Sequence, residues 1–221
     1  MAELKAVLFD LDGVLVDSHC LHYESWRVLS AKLGLSITRE QGEDFRGMAR
    51  EECLKRLFTV FNSKPLPSPE EAKRLTDEKN AIYLDILHKS RPEDLLLPGA
   101  LTLLENLQRE GIKAVVASGS KNAKDVIACA GFGDKLYAIV DRSDIVKTKP
   151  APDIFLKAQE VSGAKPEEVV GVEDAILGIE ALKAAGFKSA GVGPYVKGAD
   201  LYRPSLVELT VDDLRSLVKD L

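Results

Sequence analysis

Apolar residues in this chain follow two rhythms. Short, nearly unbroken apolar runs stand at residues 4–9, 113–117, 138–140, 169–172 and 188–192. Runs of that length, rich in β-branched residues and without strict alternation, are expected of strands buried on both faces. Between them apolar residues recur every three or four positions, the pattern of helices with one buried face. One such helix opens at Pro98-Gly99 and stops at Gly111, and another runs to Ala130 and stops at Gly131. A third spans Ile154–Val161 with Asp153 as its cap, a fourth spans Ala175–Ala185 ahead of Gly186, and a last one, Val211–Lys219, is capped by Thr210.

Residues 18–90 break this alternation and contain helices and turns only. A helix is expected from Ser18 to about Leu33, a polar helical stretch from Thr38 to Phe45, and another helix over 51–61. Arg46-Gly47-Met48-Ala49-Arg50 reads as a short basic turn. The Pro-rich segment 62–69 excludes helix and central strand. It ends in a helix start, with Ser68 as N-cap, Pro69 at the first position and Glu71 three after the cap. That helix should run to about His88.

Strands alternating with helices imply a Rossmann-like parallel α/β sheet with helices on both faces. The first strand belongs to that sheet, so the helical block interrupts it. The expected organisation is a catalytic core made of residues 1–17 and 91–221, with a small α-helical cap inserted at 18–90. Ligands of such sheets bind beyond the carboxyl ends of the strands, and the residues there are chemically uniform. Asp10 and Asp12 follow the first strand and, being two apart in extended chain, face one side. Two carboxylates so close repel each other, and a metal, a cation or a shared proton relieves that. Ser118-Gly119-Ser120-Lys121-Asn122 follows the second strand ahead of a helix N-terminus, a setting that suits an anion. Lys149 lies beyond the third strand, and Glu173-Asp174 follow the fourth. Each group alone has an ordinary structural explanation. Together they bring four carboxylates, a hydroxyl and a cation to one edge. Carboxylates with backbone and water oxygens suit Mg²⁺, and the lysine and hydroxyl suit a phosphate, so the set describes phosphoryl transfer.

Composition narrows the partners. The chain has 221 residues, 45% hydrophobic and 29% charged, with a formal net charge of -5. An acidic balance argues against nucleic acid and anionic membranes, and no apolar run has the length to span a bilayer. The three cysteines, Cys20, Cys53 and Cys129, are far apart and form no C-x-x-C pair, as expected of free thiols in a reducing compartment. No signal-peptide pattern precedes the acidic pair. A cytoplasmic monomer acting on a small molecule is the expectation.

The ordered residues Asp10-Leu11-Asp12-Gly13-Val14, Ser118, Lys149-Pro150 and Glu173-Asp174 resemble the four motifs of the haloacid dehalogenase superfamily, over the whole chain, cap included. Within it the chain looks most like the hexose-phosphate mutase branch, which interconverts β-glucose 1-phosphate and glucose 6-phosphate through β-glucose 1,6-bisphosphate. The narrower signal is Asp17-Ser18, His22, Trp26, the turn ending at Arg50, Lys79-Asn80 and Ser120-Lys121-Asn122. The resemblance implies that Asp10 is a nucleophile forming an aspartyl phosphate and that Asp12 is the general acid and base. It implies Mg²⁺ on Asp10, the Asp12 carbonyl and Asp174, with Glu173 close by. Ser118 and Lys149 would bind the transferring phosphoryl group. Arg50, Ser120, Lys121 and Asn122 would hold the phosphate that is not reacting. His22 and Lys79 would couple the cap to Asp12, and Trp26 would pack the cap or line the cleft. Ser18, Ala49 and Ala175 depart from the residues common at their positions, which bears on sugar specificity. A sugar-phosphate phosphatase of the same superfamily is the alternative.

Overall fold

A computed structural model describes residues 3–45, 48–194 and 196–219, and of Lys219 only the backbone. The chain divides into two compact units, residues 1–17 with 91–221, and residues 18–90.

The first unit is built on a six-stranded parallel sheet: β1 (Ala6–Phe9), β2 (Lys113–Ala117), β3 (Ala138–Val140), β4 (Val169–Glu173), β5 (Lys188–Val192) and β6 (Leu201–Arg203). Their spatial order is β3-β2-β1-β4-β5-β6. The order reverses at β1, which lies between β2 and β4, the place where such sheets open a crevice. Phe9 pairs with Val116 on one side and Val172 on the other, so the residues after β1, β2 and β4 leave the sheet nearly level. All four residues of β1 are fully buried, which is why its pattern is unbroken rather than alternating. The sixth strand was not anticipated, because Leu201-Tyr202-Arg203 is short, half-exposed and pairs only with β5 at the sheet edge.

The second unit is helical among its described residues: α1 (His19–Lys32), α2 (Arg39–Glu43), α3 (Arg50–Arg56) and α4 (Pro69–Lys89). Trp26, Leu29, Phe45, Leu54, Leu57 and Leu75 form its core. The Ser68 hydroxyl accepts from the Glu71 amide, as the helix-start pattern requires. α2 is shorter than the expected 38–45 and is fixed by Thr38, whose side chain accepts from the Gln41 amide while Gln41 reaches back. The helix expected over 51–61 changes character at Leu57, where a π-helix runs to Phe61. The Asn62 side-chain Nδ2 donates to the Leu57 carbonyl at 2.8 Å there. Arg46 and Gly47 of the basic turn lie outside the described residues, and Arg50 is the first residue of α3.

The helices of the first unit are α5 (Pro92–Leu95), α6 (Ala100–Arg109), α7 (Ala123–Ala130), α8 (Asp153–Ser162), α9 (Ile176–Ala185) and α10 (Val211–Lys219). α6, α8, α9 and α10 pack on the sheet, and α5 lies against α7. α6 shows the sequence rule plainly. Ala100, Leu103, Leu104 and Leu107 form its buried stripe, each leucine contributing about 1.5–3 kcal/mol by leaving water. Asp153 is not the cap of α8 but its first residue, since Pro152 precedes it. Its carboxylate accepts from the Lys147 amide at 3.0 Å, which steadies the loop carrying Lys149.

Candidate active site

The register delivers the polar residues to one edge of the sheet. Asp10 follows β1 directly, and its amide donates to the Val172 carbonyl at 3.0 Å, which continues the β1–β4 ladder by one residue. Glu173 is the last residue of β4, paired with Gly191, rather than a loop residue after it. Ser118 follows β2 and donates its amide to Val140 at 3.0 Å. Asp12 is half-buried and pairs with Val16 in a bridge that turns the chain.

Lys149 sits in the middle of the acidic residues. Its ammonium donates to Asp10 Oδ1 at 2.6 Å and to Glu173 Oε1 at 2.5 Å, and it lies over the Phe155 ring at 4.9 Å. Burial works against the charged lysine, but Asp10 and Glu173 together outweigh it and raise its pKa above the ordinary value. The other Glu173 oxygen accepts from the Asp174 and Ala175 amides at 2.9 and 3.0 Å. With both oxygens engaged, Glu173 positions its neighbours more than it offers itself to a ligand. Its own pKa is raised by burial, and the Asp10 charge acts in the same direction.

The carboxylate oxygens of Asp10, Glu173 and Asp174 lie within 4.8 Å of one another. Three carboxylates face one ammonium, so negative charge is in excess. The excess registers on Asp174, whose carboxyl is pushed up to about 8 by burial first and then by Asp10 and Glu173. A divalent cation would remove that strain, and hard oxygen donors are what Mg²⁺ takes. The residues therefore fit such a cation.

Two glycines make the cluster possible. Gly13 has φ of 86°, and a Cβ there would run into the Asp174 carboxylate. Gly178, inside α9, lies so close to Glu173 that a Cβ would overlap its carboxyl group. Glycine within a helix costs about 1 kcal/mol against alanine, so an interior Gly five residues after Glu173 was the available signal for this close approach. Phe155, beneath Lys149, carried no signal in the sequence, because it reads as an ordinary core residue of α8.

The 118–122 loop is held by its own hydroxyls. Ser118 Oγ accepts from the Ser120 amide at 3.1 Å, and Ser120 Oγ accepts from the Asn122 amide at 3.1 Å. Those two amides are thus engaged within the loop. Ser118 is fully buried, Asn122 is buried ahead of α7, and Lys121 is exposed.

The helical unit gathers the other residues. The Lys79 ammonium lies 2.8 Å from His22 Nδ1, with Trp26 at 5.4 Å and Tyr83 at 5.0 Å to the ring centroids. His22 stacks on Tyr83 at 4.5 Å. Burial, then the Lys79 charge, holds the His22 pKa well below 6.5. A neutral imidazole accepting from Lys79 at Nδ1 carries its proton on Nε2. Trp26 is 2% exposed and packs edge-on against Phe45. It is a core residue that also offers a π face to Lys79, so a substrate contact through Trp26 is not what this packing provides. The Arg50 guanidinium donates to Asn80 Oδ1 at 2.8 Å.

The geometry stands beside clear similarities. The profile of the haloacid dehalogenase-like hydrolases matches residues 4–186. A β-phosphoglucomutase of Bacillus subtilis is 36% identical over 95% of this chain and 93% of its own length. A crystal structure of β-phosphoglucomutase from Clostridium difficile superposes with a TM-score of 0.86 at 35% identity, covering 98% of each chain. A phosphorylated carbohydrates phosphatase of Thermotoga maritima is 29% identical, over 84% of this chain and 83% of its own.

Proposed function

The chain belongs to the haloacid dehalogenase-like hydrolase family, and on that premise we propose that it is a β-phosphoglucomutase. It would interconvert β-glucose 1-phosphate and glucose 6-phosphate. The observation that carries phosphoryl transfer is the Lys149 ammonium bridging Asp10 and Glu173 beside Asp174 at the carboxyl edge of the sheet. The choice of a mutase is supported by the similarity to the two phosphoglucomutases and by Arg50, a cation suited to a second phosphate.

In this reading Asp10 attacks phosphorus, an aspartyl phosphate forms and the bond from phosphorus to the sugar oxygen breaks. Asp12 gives its proton to that leaving oxygen and takes one from the incoming hydroxyl in the return step. Lys149 and Ser118 bind the phosphoryl oxygens and offset their charge. Asp10, the Asp12 carbonyl and Asp174 would hold Mg²⁺, which supplies charge neutralisation at the phosphoryl oxygens when bound. Arg50, Ser120, Lys121 and Asn122 hold the phosphate that is not reacting. Residues 18–90 serve as the cap, with His22 and Lys79 coupling it to Asp12. β-Glucose 1,6-bisphosphate carries the phosphoryl group between turnovers.

A second reading, a sugar-phosphate phosphatase in which water accepts the phosphoryl group from Asp10, is favoured by the similarity to the Thermotoga enzyme. One assay separates them. β-Glucose 1-phosphate is supplied with Mg²⁺ and a trace of the bisphosphate, and glucose 6-phosphate and free phosphate are followed together. Glucose 6-phosphate is expected to dominate, and release of phosphate alone would overturn the mutase.

A further inference from the structure

We propose that Asn80 is a positioning residue, one that aims the Arg50 guanidinium at a sugar phosphate without neutralising it. The proposal rests on the reading of Arg50 as a phosphate holder.

The arginines of the helical unit differ in their partners. Arg27, Arg56 and Arg74 each reach a carboxylate, Glu24 at 2.8 Å, Asp44 at 2.9 Å and Glu71 at 2.7 Å. Arg39, exposed, meets the Cys20 sulfur at 3.8 Å, and the half-buried Arg50 donates to the neutral amide oxygen of Asn80 at 2.8 Å. A guanidinium has five N–H donors in a fixed fork. An amide oxygen engages one edge of it and leaves the charge in place, whereas a carboxylate takes two donors and cancels the charge.

The platform under Asn80 is rigid. Asn80 follows Lys79 on the 21-residue α4, and Lys79 is 2% exposed, seated against Trp26 and Tyr83 and joined to His22. Arg50 is half-buried at the first position of α3. Two cations thus lie near one neutral imidazole, and both Lys79 and Arg50 disfavour its protonation. Holding them with an amide and an imidazole keeps the local field positive, the property an anion site needs. Asn80 would be selected here as asparagine because aspartate, of the same shape, would occupy the guanidinium as an internal anion.

Steady-state kinetics of Asn80→Asp, Asn80→Ala and Arg50→Ala test this, on β-glucose 1-phosphate with Mg²⁺ and a trace of bisphosphate. Glucose 6-phosphate and free phosphate are summed, so that either acceptor of the phosphoryl group is counted. Asn80→Asp is expected to raise KM about tenfold or more, and Asn80→Ala about threefold. A residue that merely tethers two helices gives the reverse order: aspartate keeps the hydrogen bond and stays near wild type, and alanine is the worse. That order overturns the proposal. Unchanged KM in Arg50→Ala would instead overturn the phosphate role of Arg50, on which the proposal stands. Should Asn80→Asp not fold, Asn80→Ser decides, since a short neutral acceptor should restore KM relative to alanine. A KM no better than that of Asn80→Ala overturns the proposal as well.

Discussion

Each unit of this protein contains a deeply placed lysine, and the two are partnered in different ways. Lys149 lies between two carboxylates, Asp10 and Glu173. Lys79 faces an imidazole nitrogen and two aromatic rings. The difference lies in what remains afterwards. Around Lys149 the surrounding acids exceed the lysine, and burial together with that surplus raises Asp174. The His22 acceptor of Lys79 is neutral, and Lys79 and Arg50 act on it with the same sign. Under the proposed function the first would take a cation and a phosphoryl group, and the second an anion. Burial alone would discharge a lysine; the choice of partner decides whether its charge is cancelled or kept.

The largest effect expected from breaking this comparison is the loss of each lysine in turn. Lys149→Met strands two buried carboxylates, so it should cost about 3–5 kcal/mol without Mg²⁺ and slow turnover about a thousandfold. Lys79→Met takes the donor from the neutral His22 acceptor and should cost about 1–3 kcal/mol. Denaturant unfolding of the two variants measures the gap. Equal costs would show that carboxylates and imidazole hold a lysine alike.

A smaller effect concerns pH. Asp174 is raised to about 8 from an ordinary 3.8. Between those values the folded protein holds the proton more tightly than the unfolded chain, so metal-free stability falls as pH rises through that window. Mg²⁺ needs the ionised carboxylate, so its binding at pH 7 should release about one proton and tighten as pH rises toward 8. Titration calorimetry in two buffers of different ionisation enthalpy reads the proton directly. A heat independent of buffer would contradict the crowded-carboxylate account.

The smallest effect is a silence. With its pKa well below 6.5, His22 should show no imidazole titration by NMR between about pH 6 and 8. The sign is the opposite of that for Asp174. The folded state resists protonation that the unfolded chain accepts, so stability contributed here is lost as pH falls below about 6.5. A His22 resonance titrating near 6.5 would mean that the Lys79 contact is not kept in solution.

Much of the fold was readable because parallel strands are buried on both faces. The runs at 113–117, 138–140 and 188–192 match β2, β3 and β5 to the residue, since nothing competes with burial there. The glycine stops at 131 and 186 hold for a similar reason: both have positive φ, which few other residues tolerate. The edge strand β6 escaped notice because one half-exposed strand has no periodicity over three residues. The π-helix at Leu57–Phe61 escaped because its apolar spacing is nearly that of an α-helix.

The candidate site divides in the same manner. The order of Asp10, Ser118, Lys149 and Glu173-Asp174 is a property of the chain, and strand ends carry such residues to one edge whatever the details of packing. The resemblance to the family also named Arg50 and Lys79-Asn80. What the chain order could not decide was which groups touch. That Lys149 bridges Asp10 and Glu173 across 139 and 24 residues, that Gly178 makes room for Glu173, and that Arg50 meets an amide instead of an acid all follow from the folded backbone. Strand and helix follow from near neighbours along the chain, whereas the charge state of a buried group depends on every partner the fold brings within a few ångströms of it.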